Sequence, residues 1–201
     1  NEFFNSPQLY PFLSTLAHQD YFALPSILLY TPAYLFSNNH IFSVNITIFL
    51  SYFLNFISSY YFINKITKDR LASACGALVF SFSPGVIQMG GAYLEYLNRY
   101  LIPPFIFLLF KFIKKPGMKN SILLFFVYSL NWFCNIEISI FLILISVIIY
   151  LIFTLIKILN KSIFQEYKFT HFKYILVGLV FLPLIVYYFK PYISYAEKEN
   201  F

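Results

Sequence analysis

The sequence predicts an all-α fold, a polytopic integral membrane helical bundle of about six transmembrane helices with one further helix at the extracytoplasmic interface. Three observations carry that prediction. Of the 201 residues, 60% are hydrophobic and only 11% charged, where soluble domains run nearer a quarter charged. Mean hydropathy is +0.71, and a water-soluble fold of this size has no core large enough to hide 27 Phe residues beside their Ile and Leu neighbours. The third observation is rhythm. Apolar runs of roughly 20 residues, the length that crosses ~30 Å of hydrocarbon at ~1.5 Å per residue, alternate with short basic clusters.

Taken in order, residues 1–40 are expected on the extracytoplasmic side. Within them "YFALPSILLYTPAYLF", residues 21–36, is apolar but short for a span and is broken by Pro25 and Pro32. It reads as a helix lying at the outer interface or dipping into it. The rival is a seventh span with a cytoplasmic N-terminus, which the absence of Lys and Arg from residues 1–64 disfavours only weakly. The bundle proper is placed at 41–190. Its first span, 41–64, stops at Lys65, Lys68 and Arg70. The second, 71–87, holds the small residues Ala72, Ser73, Ala74, Gly76 and Ala77, which allow close helix packing, and ends where Pro84 and Gly85 break the pattern.

The third span is expected at 93–113, ending in Lys111, Lys114, Lys115 and Lys119. An apolar tract between Lys119 and Lys157 has basic flanks at both ends, so it crosses an even number of times. Two helices, 120–134 and 138–157, turning near Asn135, fit its length. The last span is 174–189 with a kink at Pro183, and residues 191–201 form an outer tail.

Sorted by side, the inner loops hold eleven of the fourteen basic residues. That bias sets the orientation, with the N-terminal segment extracytoplasmic in a multi-pass protein. The net charge of +6 does not indicate nucleic acid, because the basic residues fall between apolar runs rather than on one soluble face. Cys75 and Cys134 lie in different runs and read as small packing residues. The chain opens at Asn1 without an initiator Met, and is read as a fragment or processed chain.

The polar residues are few. "GGAYLEYLNRYLIPPF", residues 90–105, sets Glu95 and Arg99 four apart, hence on one helical face, with Asn98 beside them and Tyr93, Tyr96 and Tyr100 interleaved. They read either as an interfacial ion pair within an aromatic belt or as the polar wall of an outward-facing cavity. Glu137 lies in "NWFCNIEISIF" beside Asn131 and Asn135, where a turn alone would account for the asparagines. His18 and Asp20 fall in one outer segment, and a partly desolvated Asp20 would suit a general base on an acceptor hydroxyl. No third ligand has metal spacing to that pair. Walker, dinucleotide, HExxH and GxSxG motifs do not occur.

Three segments together resemble bacterial polytopic glycosyltransferases of the GT-C type and the related uncharacterised integral membrane families. They are "YPFLSTLAHQDYFALPSILLYTPAYLF", "NHIFSVNITIFLSYFLNFISSYYFINKITKDRLASACGALVFSFSP" and, after the polar stretch, "LIPPFIFLLF". The resemblance covers roughly residues 7–115. It implies transfer of a sugar from a polyprenyl-phosphate-linked donor to an acceptor on the extracytoplasmic face of the bacterial plasma membrane. No cofactor is expected from the residues, and a divalent metal is open but not indicated by them. In that reading Asp20 is the catalytic base, Arg99 neutralises donor phosphate and Glu95 orients Arg99 or the acceptor. His18, Asn98 and Glu137 complete the substrate-binding set. A transporter or flippase, and a non-catalytic assembly subunit, are the alternatives from other classes.

Overall fold

The structure, a computed structural model, describes residues 23–92, 94–159 and 174–181, with 183, 185–187 and 190. The described residues are mostly helical and contain no strand, in seven α-helices joined by short connections. Three helical stretches, His40–Thr67, Arg70–Gln88 and Ile136–Ile156, are long and apolar enough to cross a membrane.

Helix α1, Ala23–Ser37, carries both prolines without breaking. A π turn at Ser26–Tyr30 takes up the extra residue, and Pro32 falls in the first turn of Thr31–Ser37, where its missing N–H costs nothing. The chain then reverses at Asn38, whose φ of 50° is left-handed, and Asn39 caps the next helix by accepting from Phe42 N at 3.1 Å. As a result α1 folds back along α2, with the Tyr34 ring stacked on His40 at 4.4 Å.

Helix α2, His40–Thr67, runs for 28 residues. Its buried residues are Ser43, Ser51, Asn55 and Ser59, while Ile41, Phe42, Phe49, Phe53 and Ile57 are exposed. That distribution is inverted relative to a soluble helix, and it fits a helix whose outer solvent is lipid. A second tight reversal follows. Lys68 takes a left-handed φ of 61°, and Asp69 accepts from Leu71 N at 2.8 Å and Ala72 N at 3.1 Å. Removing that cap with Asp69→Ala is expected to destabilise the hairpin by about 1 kcal/mol, measurable as an earlier unfolding midpoint in a denaturing-detergent titration.

Helix α3, Arg70–Phe82, returns along α2. The small residues that face α2 are Ser73, Ala77 and Ser81, spaced by four; Gly76 sits against Ile63, and Ala72 points outward. The break expected at Pro84 and Gly85 is an interruption of one residue, with Ser83 extended and its carbonyl capping Val86 N (2.9 Å) and Ile87 N (3.1 Å). Helix α4, Pro84–Ala92, follows directly.

The expectation of one helix over 93–113 is corrected. Leu94–Leu97 is a short 3-10 turn, residues 98–101 are not helical, and α5 begins only at Ile102 and ends at Lys114. Hydropathy counts side chains and does not register the tandem Pro103 and Pro104, which suit a helix start and not a helix interior. Glu95 and Arg99 therefore do not share a helical face.

Helix α6, Met118–Trp132, and α7, Ile136–Leu159, are joined by a reversal at Phe133–Asn135. Tyr128 Oη donates to Ser139 O at 3.3 Å and Asn131 Nδ2 to Ser139 Oγ at 2.9 Å across it. Helices α5, α6 and α7 enclose the apolar core, built on Phe105, Leu109, Phe112, Leu124, Tyr128 and Trp132, with Ala23 of α1 packed into it. With 13 and 15 residues, α5 and α6 are shorter than the ~20 that cross a bilayer core. Of the span expected at 174–189, the described part includes a 3-10 stretch at Leu176–Phe181, and Tyr174 O accepts from Ser121 Oγ at 2.5 Å.

Candidate functional site

The segment between α4 and α5 is a polar break, and its position follows from how its backbone is satisfied. A peptide that leaves the helical pattern exposes N–H and C=O groups that need partners. Helix α2 supplies them from its buried stripe. Asn55 Nδ2 donates to Leu97 O at 2.6 Å, and Asn55 Oδ1 accepts from Arg99 N at 3.1 Å. One amide thus clamps two backbone groups two residues apart. Ser51 Oγ donates to Asn98 Oδ1 at 2.9 Å and Ser58 Oγ to Tyr100 O at 2.6 Å. Asn55 is fully buried and Asn98 nearly so.

Arg99 is partly buried, and its Nε donates to Tyr96 O at 2.7 Å. Among the described residues no carboxylate pairs with it. Tyr96 Oη in turn donates to Glu137 Oε2. Glu137 is exposed in the first turn of α7, where the helix dipole favours a carboxylate. Tyr96 therefore ties Arg99 to Glu137 with one residue, backbone to one side and hydroxyl to the other. Cys134 Sγ lies 3.5 Å from Tyr100 Oη, so the α6–α7 reversal and the break are in contact. Leu24 N donates to Phe133 O at 2.8 Å, which brings the start of α1 to the same reversal.

A cavity of about 180 Å³ opens beside the break. Ser26 and Tyr30 of α1, Val44, Thr47, Ile48 and Ser51 of α2, and Leu97 and Asn98 line it. Its walls are mostly apolar with a few hydroxyls and one amide, the usual make-up of a small ligand pocket.

Of the residues expected at a site, Arg99 and Glu137 are linked through Tyr96, while the Asn98 amide accepts from Ser51 of α2. Asp20 and His18 lie outside the described residues, as does the side chain of Glu95. Sequence reading missed Ser51, Asn55 and Ser58. For Ser51 and Asn55 the signal was present, because Ser43, Thr47, Ser51, Asn55 and Ser59 recur every four residues in an otherwise apolar run and so form one face; Ser58 lies one residue off that row. Among the described residues no group of three or more His, Cys, Asp and Glu side chains gathers where a metal could bind. The chain matches no family model, no curated protein and no solved structure.

Proposed function

We propose that the chain is the membrane portion of a bacterial plasma-membrane glycosyltransferase of the GT-C type, using a polyprenyl-phosphate-linked sugar on the extracytoplasmic face. The observation that supports this reading best is the Glu137–Tyr96–Arg99 chain. It links a cation suited to a phosphodiester with a carboxylate suited to an acceptor hydroxyl through a single tyrosine. In this reading Arg99 neutralises the phosphate that leaves with the donor lipid, Asn98 borders the adjoining cavity, and Glu137 orients the acceptor. Asp20 keeps the role of base that the sequence resemblance implies, with His18 and Glu95 near the substrates.

The test is transfer of labelled sugar from a polyprenyl-phosphate donor by membranes containing the full chain. Arg99→Gln and Glu137→Gln are each expected to lower turnover roughly 10- to 150-fold, the equivalent of one charged hydrogen bond, while Lys111→Gln leaves it unchanged. Unaltered turnover in both site variants would sink the reading.

A second reading is favoured by one observation, the non-helical backbone packed on the middle of α2. Discontinuous helices of that kind build substrate sites in transporters. Movement of a labelled lipid across reconstituted vesicles without cleavage of its sugar would identify a flippase.

Orientation is checked separately. In a chain with Cys75 and Cys134 replaced by Ser, a cysteine at position 91 is expected to react with an impermeant thiol reagent in intact cells. One at position 117 should stay unlabelled until the cells are opened. The reverse pattern would invert the topology and take the extracytoplasmic site with it.

A further inference from the structure

We propose that the groove between α5, α6 and α7 docks an anionic phospholipid, with an acyl chain in the groove and the headgroup at the lysines of the α5–α6 turn. A cavity of about 340 Å³ lies between these helices. Phe105, Leu109 and Phe112 of α5 line it together with Leu124 of α6 and Val147 and Leu151 of α7. Its surface is hydrocarbon. Ser146 and Tyr128 also border it, yet Ser146 Oγ donates to Leu142 O at 2.6 Å and Tyr128 Oη to Ser139 O at 3.3 Å. Water is a poor occupant of such a space, since a cavity of ~150 Å³ lined by Leu, Ile and Phe stays dry and takes up benzene. Left empty, it would cost its lining atoms their dispersion contacts.

The mouth and one end of the cavity indicate what fills it. Val147 and Leu151 are 51% and 61% exposed on α7, a helix long and apolar enough to cross a membrane. The mouth therefore opens on a surface suited to lipid chains. Toward the α5–α6 turn the character changes. Lys115 stands three positions past Phe112, and Lys119 five positions before Leu124, roughly 7.5 Å along the helix. Both lysines are exposed. Asn120 Nδ2 donates to Lys115 O at 2.9 Å, which ties the turn and fixes the spacing of Lys115 and Lys119. Lys111 and Lys114 precede them, and no Asp or Glu occurs between Glu95 and Glu137, so this segment brings no counter-charge of its own. Ammonium groups on flexible stems meet a phosphate as point charges, without a fixed bidentate geometry, and basic clusters beside membrane helices attract anionic headgroups. A neutral lipid would fill the cavity and leave the lysines unmet, and free phosphate would do the reverse. An anionic lipid does both. The site shares no lining residue with the cavity beside the break, and it stands whether or not the chain transfers sugar.

The chain carries its own reporter. Trp132 is the single tryptophan, and its ring lies 6.0 Å from that of Tyr128 in the cavity wall. Its fluorescence is followed in the full chain reconstituted in phosphatidylcholine bilayers. Phosphatidylglycerol with brominated acyl chains should reach half-maximal quenching at a roughly fivefold lower fraction than brominated phosphatidylcholine. Lys115→Gln combined with Lys119→Gln should make the two lipids equal. Val147→Phe, at the mouth, should bring quenching by phosphatidylglycerol down to the phosphatidylcholine level. All three positions are exposed, so the variants should fold. Equal quenching of the native chain by the two lipids overturns the proposal, as does a preference that survives the lysine substitutions. A preference that survives Val147→Phe also overturns it, because the lipid then lies on the outer surface. Absence of quenching by either lipid overturns it too, and points to a second copy of the chain closing the cavity.

Discussion

Asn55→Leu is expected to release the 97–100 segment from α2 and destabilise the protein by about 2–6 kcal/mol. The substitution keeps the number and branching of side-chain heavy atoms and improves helix propensity, so a loss of stability is not a helix-propensity effect. What it removes is the double clamp on Leu97 O and Arg99 N. Each buried group left without a partner costs about 1–3 kcal/mol, and membrane surroundings provide no water to replace the amide. The midpoint of unfolding in a denaturing-detergent titration measures this, with Ile57→Leu on the exposed face as the control, expected within about 0.5 kcal/mol of the native chain. Equal midpoints for the two variants would mean that the break is not held by α2.

The second large effect is expected at the α2–α3 seam. Ala77 is completely inaccessible, and a Cβ on the neighbouring Gly76 would come within 3.1 Å of Ile63 Cδ1. The helices approach closely because Ser73, Ala77 and Ser81 present almost no side-chain bulk. Ala77→Phe is expected to push the pair apart and cost about 1–3 kcal/mol or more. Leu78→Phe, on the exposed face of the same helix, should cost almost nothing. A disulfide trap between cysteines placed across the native seam should form readily in the Leu78 variant and poorly in the Ala77 one.

The helical class, and the presence of helices long and apolar enough to cross a membrane, were legible because they rest on side-chain bulk and composition, which hydropathy reports directly. Helices α2, α6 and α7 lie close to the runs that predicted them, and the α6–α7 reversal falls at the asparagine pair. The break at 94–101 was not legible as a break. Its residues average apolar, and what unwinds them is a combination of Pro103 and Pro104 downstream with acceptors and donors some forty residues upstream on α2. A four-residue spacing of Glu95 and Arg99 carries positional meaning only if a helix joins them, and none does. Of the site, Asn98, Arg99 and Glu137 could be picked out as rare polar residues. Ser51, Asn55 and Ser58 were passed over because serine and asparagine in an apolar run do not change its average. Ser51 and Asn55 show only as part of a periodicity, and Ser58 lies one residue off it.

Pro103 and Pro104 have a consequence at the head of α5. An ordinary helix opens with four amide hydrogens that nothing in the helix accepts, and water usually takes them. Here three of the four are settled without solvent: Ile102 N donates to Arg99 O at 2.9 Å and the two prolines have no hydrogen to place, so that of the four only the amide of Leu101 is left to find a partner. Phe105 N then makes the first regular helical bond, to Leu101 O at 3.1 Å, and the turn over 102–105 should be slow in hydrogen–deuterium exchange. Replacing either proline by alanine would leave backbone, side-chain packing and charge nearly as they are, yet it would add one amide with no place to go.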